Sequence, residues 1–373
     1  VKVNKKPISK PVVIEDDNLQ KLFDALKKGG YTIIGPTVKN GAVVYDQIDS
    51  CNELPRGWTD EQDSGKYRLQ ESASPAYFGY VAGVQSWKRF LFPPELTLLE
   101  TERVSKSWKV KKNDNGAVPS YAFIGVRACE LAAMEIQNKV FSAGSYVDVY
   151  YSAVRERALV IAVNCGRAGG TCFCASMGTG PEVTEGYDIA LTEIADGKKH
   201  LFVADAGSER GLELLKQIPV KIAEDDDIAS AKTIVAETTK RMGRTLDTAN
   251  LKERLYKSIE SSGWSTIANR CLGCANCTMV CPTCFCTSIA DTTDLAGLTA
   301  QRVRQWDSCF SLEYSYVHGG YVRKSPESHY RQWMSHKLAY WMDQFGTFGC
   351  VGCGRCITWC PVGIDITAEA KAF

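Results

Sequence analysis

Cys271-Leu-Gly-Cys274-Ala-Asn-Cys277-Thr-Met-Val-Cys281-Pro282 and Cys350-Val-Gly-Cys353-Gly-Arg-Cys356-Ile-Thr-Trp-Cys360-Pro361 are two copies of one pattern, C-x2-C-x2-C-x3-C-P, in a chain of 373 residues. The two-residue spacing lets three thiolates wrap one inorganic cage in a tight loop. Gly273, Gly352 and Gly354 relieve the backbone where it hugs that cage and leave amides free to point at sulfur. The fourth cysteine starts the following turn, and the proline after it restricts how the backbone leaves the loop. Spacing of this kind, used twice, indicates two [4Fe-4S] clusters. Zinc is the structural alternative. Its sites usually draw on two C-x2-C pairs from separate knuckles, whereas here three cysteines crowd each loop.

The cysteine inventory points the same way. Of 16 cysteines, eleven lie from Cys271 to Cys360, four from Cys129 to Cys174, and Cys51 stands apart. The stretch Val1 to Lys10 lacks the apolar run of a signal peptide, so a cytoplasmic protein is expected, and cytosolic thiols stay reduced. Bunched thiols that are not disulfides suggest local metal sites. Apolar runs such as Ala158 to Val163 fall far short of the ~20 residues that cross a bilayer, so no membrane partner is expected. A net charge of +1, with 45% hydrophobic and 23% charged residues, gives no footprint for nucleic acid.

The length exceeds what one core usually supports, ~250 residues, so two domains are expected. Residues 1–260 read as a mixed α/β region and residues 261–373 as an α-helical ferredoxin-type dicluster domain, an α+β chain overall. In the first part, Asn18 to Lys28 reads as a helix. Tyr31 to Pro36 and Gly41 to Asp46 read as strands around an Asn40-Gly41 turn, and Tyr121 to Val126 and Ala158 to Asn164 as buried strands, with a helix at about Glu130 to Phe141. Cys129 and Cys165 then sit just beyond strand ends, a usual address for functional groups in α/β folds. With Cys172 and Cys174 they suggest a third [4Fe-4S] site, against zinc or plain core thiols. The region between the two cysteine runs, rich in Trp and Tyr, reads as helical.

Other features read more plainly. Cys284, Cys286 and Cys309 read as small buried residues of a sulfur-rich core. Glu224 to Asp227 reads as a solvated acidic face. Gly178-Thr-Gly180-Pro181 is a faint phosphate or flavin loop against an ordinary turn. His318, His329 and His336 read as packing or solvated residues, and no catalytic triad or carboxylate pair stands out.

The two runs resemble those of bacterial ferredoxins, in which the fourth cysteine of each run serves the other run's cluster. That resemblance implies one cluster on Cys271, Cys274, Cys277 and Cys360 and another on Cys350, Cys353, Cys356 and Cys281. The chain also resembles the β subunits of soluble NAD(P)-linked [NiFe]-hydrogenases, or sulfhydrogenases, and the A subunits of anaerobic sulfite reductases. The segments that carry this likeness are Gly125-Val-Arg-Ala-Cys-Glu130, Gly169-Gly-Thr-Cys-Phe-Cys174 with Ser176-Met-Gly-Thr-Gly-Pro181, Cys281-Pro-Thr-Cys-Phe-Cys286, Trp306-Asp-Ser-Cys309 and Phe348-Gly-Cys-Val-Gly-Cys-Gly-Arg-Cys356. The family's first piece reads Gly-Val-Arg-Pro-Cys-Asp, where this chain has Ala128 and Glu130. The resemblance implies an electron-transfer subunit, without a bond-making site, that works beside a flavoprotein subunit (FAD, NAD(P)H) in a hydrogenase-type complex. A sulfite-reductase-type complex is the alternative. Two other classes compete: a flavin-dependent oxidoreductase in its own right, and a zinc-stapled scaffold.

Overall fold

Val160 and Ala162 of the run Leu159-Val-Ile-Ala-Val163 face one apolar core, and Leu159, Ile161 and Val163 face another. A strand buried on both faces reads as a continuous apolar run, and this one lies at the centre of a large sheet. The computed structural model describes residues 9–81, 83–111, 118–197 and 199–373. Its early strands are β1 (Val12–Glu15), β2 (Thr32–Lys39), β3 (Ala42–Gln47), β4 (Trp58–Asp63), β5 (Lys66–Glu71), β6 (Glu95–Val104) and β7 (Ser107–Lys111). Then come β8 (Tyr121–Val126), β9 (Leu159–Val163), β10 (Ile189–Ala195), β11 (His200–Ala206), β12 (Lys221–Ile222), β13 (Thr287–Thr293) and β14 (Thr299–Trp306).

The eight-stranded sheet runs β12-β1-β11-β10-β9-β8-β2-β3. Its central pairs, β2/β8, β8/β9 and β9/β10, are parallel, and its flanks are antiparallel. The β2–β3 hairpin turns at Asn40 and Gly41, both at positive φ (52° and 72°), as a tight two-residue hairpin requires. Helix Leu19–Lys28 covers one face through Leu19, Leu22, Phe23 and Leu26. Helices Ala128–Phe141 and Val149–Arg157 cover the other through Leu131, Met134, Tyr151 and Val154. Because β8 and β9 are parallel neighbours, Cys129 and Cys165, which follow them, emerge at the same sheet edge.

The region between the two cysteine runs is not helical throughout. Residues 287–306 form the β13–β14 hairpin, and β14 pairs with β6 in a second sheet ordered β13-β14-β6-β7. Thr287-Ser-Ile-Ala-Asp-Thr-Thr293 is rich in β-branched residues that fit a pleated surface. Helix appears only from Pro326, in Pro326–Ser335, a π-helical turn His336–Tyr340 and Trp341–Phe345. This second sheet joins residues on both sides of position 260.

A buried ion pair joins the two parts of the chain. Glu130, in the first turn of helix Ala128–Phe141, accepts from Arg355 Nη2 at 2.5 Å, Trp87 Nε1 at 2.8 Å, Tyr45 Oη at 3.0 Å and the Arg127 amide at 3.1 Å. Arg355 also donates through Nε to Gly83 O at 2.9 Å. Relative exposure is 2% for Glu130 and 1% for Arg355, so neither charge reaches water. Removing one member strands the other, which costs roughly 3–5 kcal/mol. Glu130→Ala is expected to destabilise the chain by about that amount in anaerobic chemical denaturation. A change below about 1 kcal/mol, ordinary for a surface site, would contradict the role given to this pair.

Candidate iron-sulfur centre

The two cysteine loops share one backbone course. Gly273 and Gly352 have φ of 63° and 65°, and two residues on, Ala275 and Gly354 have 63° and 75°. In each loop the glycine amide points at the first thiol, Gly273 N to Cys271 Sγ at 3.4 Å and Gly352 N to Cys350 Sγ at 3.5 Å. Each loop then enters a single helical turn, Asn276–Met279 or Arg355–Thr358. Left-handed backbone is disfavoured by ~1–2 kcal/mol for an L-residue, so Ala275 is held there by its loop. Gly354 has a further reason to be glycine: a Cβ would lie 2.4 Å from Thr171 O.

Three adjoining cavities gather the thiols. Cys271, Cys274, Cys277 and Cys360 line the first, with Cys356 in its wall. Cys281, Cys350, Cys353 and Cys356 line the second. Cys129, Cys165, Cys172 and Cys174 line the third, with Cys353 in its wall. The structure thus brings together each quartet named from the sequence. The second cavity lies between the other two, sharing Cys356 with one and Cys353 with the other.

The second loop rests on the segment of the third quartet. Phe173 N donates to Gly352 O at 2.8 Å, Thr179 Oγ1 donates to Val351 O at 2.7 Å, and the hydroxyls of Thr171 and Thr358 lie 2.7 Å apart. The Cys129 side of that quartet is fixed by the Glu130–Arg355 pair.

The electrostatics suit a cationic core that becomes a net anion once thiolates hold it. Burial pushes the Cys129, Cys165 and Cys174 thiols up, and Cys172 up to about 12, so these groups would stay neutral without a metal cation beside them. Lys337, on the π-helical turn, is 5% exposed and directs Nζ to Cys281 Sγ at 3.2 Å and Thr283 Oγ1 at 3.1 Å. Burial opposes its charge, but Cys281, Cys284 and Cys350 outweigh that and push its pKa up. A hydrogen bond from Cys284, and the Lys337 charge, pull Cys281 below the usual thiol value. Lys88 is buried too, with Nζ 3.2 Å from Cys284 O and 3.8 Å from the Trp306 ring centroid. Neither lysine has a carboxylate partner among the described residues.

Buried donors are left over in the same places. The Tyr330 hydroxyl and Trp333 indole NH, from the first cavity, and Arg127 Nε, from the third, have no hydrogen-bond partner among the described residues. Among the described residues, no three His, Cys, Asp or Glu side chains are placed to hold a single metal ion. Four thiols around a cavity, unpaired cations and spare donors fit a cage of iron and sulfide, whose held form carries net negative charge and accepts hydrogen bonds at sulfur. Such a cluster, when bound, supplies reversible one-electron exchange.

Lys337, Lys88 and Arg127 escaped sequence reasoning; no local spacing marks a lysine that reaches a thiol 56 residues away in the chain. Cys284, Cys286 and Cys309 line none of the three cavities. Cys309 is buried, and its carbonyl contacts His329 Nδ1 at 2.5 Å. His336 lies on the π-helical turn, where burial lowers its pKa to about 4, and His318 lies between the short strands Tyr316–Val317 and Gly320–Tyr321. The acidic run supplies the first turn of helix Asp225–Lys240, and its Asp227 is buried against Lys199 at 2.8 Å.

Comparison with known proteins agrees with this geometry. Residues 270–364 match the model of the 4Fe-4S dicluster domain family. The sulfhydrogenase 2 subunit beta of Pyrococcus furiosus is 27% identical over 360 residues, covering 95% of each chain. No solved structure matches. Residues 270–364 are thus a 4Fe-4S dicluster domain, set in a chain whose likeness to a sulfhydrogenase β subunit runs through nearly its whole length.

Proposed function

We propose that this chain is a non-catalytic electron-transfer subunit that holds three [4Fe-4S] clusters and serves a hydrogenase-type complex beside a flavoprotein subunit. Cys271, Cys274, Cys277 and Cys360 would hold the first cluster, Cys281, Cys350, Cys353 and Cys356 the second, and Cys129, Cys165, Cys172 and Cys174 the third. The observation that carries the reading is the adjoining line of cavities, with Cys356 and Cys353 as shared walls. It gives single-electron transfer an unbroken series of sites. Similarity to a sulfhydrogenase β subunit favours the hydrogenase-type partner.

Two features support a role inside a larger assembly. The first cavity opens near the surface, where Cys274 is exposed beside Leu272 (66%) and Val362 (39%). On the second sheet, Leu99, Trp108 and Val110 lie exposed on one face. Exposed apolar groups gathered in this way mark surfaces that another protein covers. Among the described residues no helix is long and apolar enough to cross a membrane.

Metal and sulfide analysis of anaerobically purified protein tests the reading. About twelve iron atoms with matching sulfide are expected, since each cluster brings about four. A colourless protein with zinc and no acid-labile sulfide would sink it. Cys356→Ala should remove or convert one cluster, seen as a fall in iron and a changed EPR spectrum, and Cys172→Ala should do the same for another. Full iron retention by either variant would break the ligand assignment at that residue.

Lys337 gives a separate prediction. Its ammonium favours the more negative, reduced state of whatever Cys281 holds, because nearby charge and hydrogen bonds to sulfur set cluster potentials. Lys337→Met is expected to make one midpoint potential more negative by on the order of 60 mV, a tenfold step for a one-electron couple. EPR-monitored potentiometry reads this directly. An unchanged set of potentials would show that the lysine serves folding alone.

A further inference from the structure

The Gly178-Thr-Gly180 turn does more than connect. It forms one wall of a cleft of about 570 Å³, within the size range of small-molecule sites, against the start of helix Ala128–Phe141 and the side chain of Arg155. The cleft backs directly onto the third quartet: a Cβ at Gly180 would lie 3.2 Å from Cys174 Sγ and 3.6 Å from the Cys129 amide. Only a backbone strand separates its interior from those thiols.

The cleft has an anion-binding corner. Arg155 is 9% exposed, lines the cleft, leaves Nε without a partner and makes no hydrogen bond or ion pair with any described residue. A buried guanidinium in this state calls for an acceptor that the chain itself does not supply. The helix start adds to it. Ala128 lines the cleft, and its amide has no acceptor among the described residues, so the first turn of a 14-residue helix leaves a free donor at that wall. Ala128 and Leu131 give the floor an apolar surface, while the carboxylates of Glu135, Glu182 and Glu185 stay at the exposed rim.

We propose that this cleft binds a flavin phosphate, with the phosphate on Arg155 and the helix start and the ring against Ala128, Leu131 and the Gly178–Gly180 turn. The choice of class follows from chemistry. A nicotinamide gives up two electrons together as hydride, whereas an iron-sulfur site takes one at a time, and a flavin does both. A reduced flavin seated here would return to its oxidised form by giving two electrons, one after the other, to the cluster proposed on the third quartet, which would pass each on to the one proposed in the adjoining cavity, and two protons to solvent at the rim. The redox part rests on the electron-transfer reading given above; the binding site rests on the cleft alone.

The test uses the full, iron-loaded chain, titrated under anaerobic conditions with flavin mononucleotide and with riboflavin, which lacks the phosphate, while flavin fluorescence is followed. The mononucleotide is expected to bind at least about tenfold more tightly, the scale of one charge-assisted hydrogen bond. Arg155→Ala should abolish that difference and Arg155→Lys restore part of it, with iron content unchanged. Thr184→Trp, at the exposed mouth, should block both flavins without touching the core. The proposal falls if the intact chain binds no flavin mononucleotide, as it would if a partner's carboxylate is what Arg155 awaits, or if Arg155→Ala keeps the preference. Full iron and sulfide with no flavin binding would remove this inference and leave the electron-transfer reading standing; a protein without iron would remove that reading whatever the flavin result.

Discussion

Glu130 and Arg355 form the contact on which the rest of the architecture leans. The carboxylate immediately follows Cys129, and the guanidinium lies between Cys353 and Cys356, so one ion pair fixes the spacing of two thiol groups that belong to distant parts of the chain. Charges this deep are tolerable only when well partnered: Glu130 accepts from four donor groups, and Arg355 leaves only Nη1 without a partner among the described residues. The pairing of Thr171 with Thr358 and of Phe173 with Gly352 then sets the finer fit of loop on loop.

Much of this was legible beforehand, for reasons that differ by element. The cysteine runs are local: ligand spacing, glycine and proline lie within a dozen residues, so their chemistry shows in the primary sequence. The central strands were legible because a strand buried on both sides has no polar face to disguise it. The Asn40–Gly41 turn announced itself by residue type. In contrast, β14 finds its partner β6 about 200 positions earlier, and no pattern near Thr299 announces a neighbour that distant. The π-helical turn that aims Lys337 was invisible for a related reason. Its extra residue is accommodated by tertiary contacts, among them Gly349 N on Lys337 O at 2.8 Å, and not by a local signal. Arg355 was hidden in plain view, occupying a position between ligands where any residue would have satisfied the motif.

The near-neutral total charge conceals a strong local asymmetry. Lys337 and Lys88 are both interior, both beside the cysteines of the first run and both without an ion-paired carboxylate among the described residues. Interior cations without counter-ions are unfavourable in a protein standing alone. They become intelligible once the sulfur-rich interior is taken as an anion in its own right, with the polypeptide arranged as its positive cage. Holding the guest and holding the fold are then two views of one balance.

The shared walls also constrain how such a molecule comes into being. Residues 350–360 contribute to all three cavities, either as lining thiols or as the wall at Cys353, yet they emerge from the ribosome long after Cys129 and Cys165. The second and third cavities close only when that late segment folds back onto the early part of the chain, at Phe173 and at Cys129, Cys165, Cys172 and Cys174. Cys353, the late wall of the third cavity, follows Cys172 by 181 positions, so a growing chain holds those four early thiols uncovered until its last segment is made.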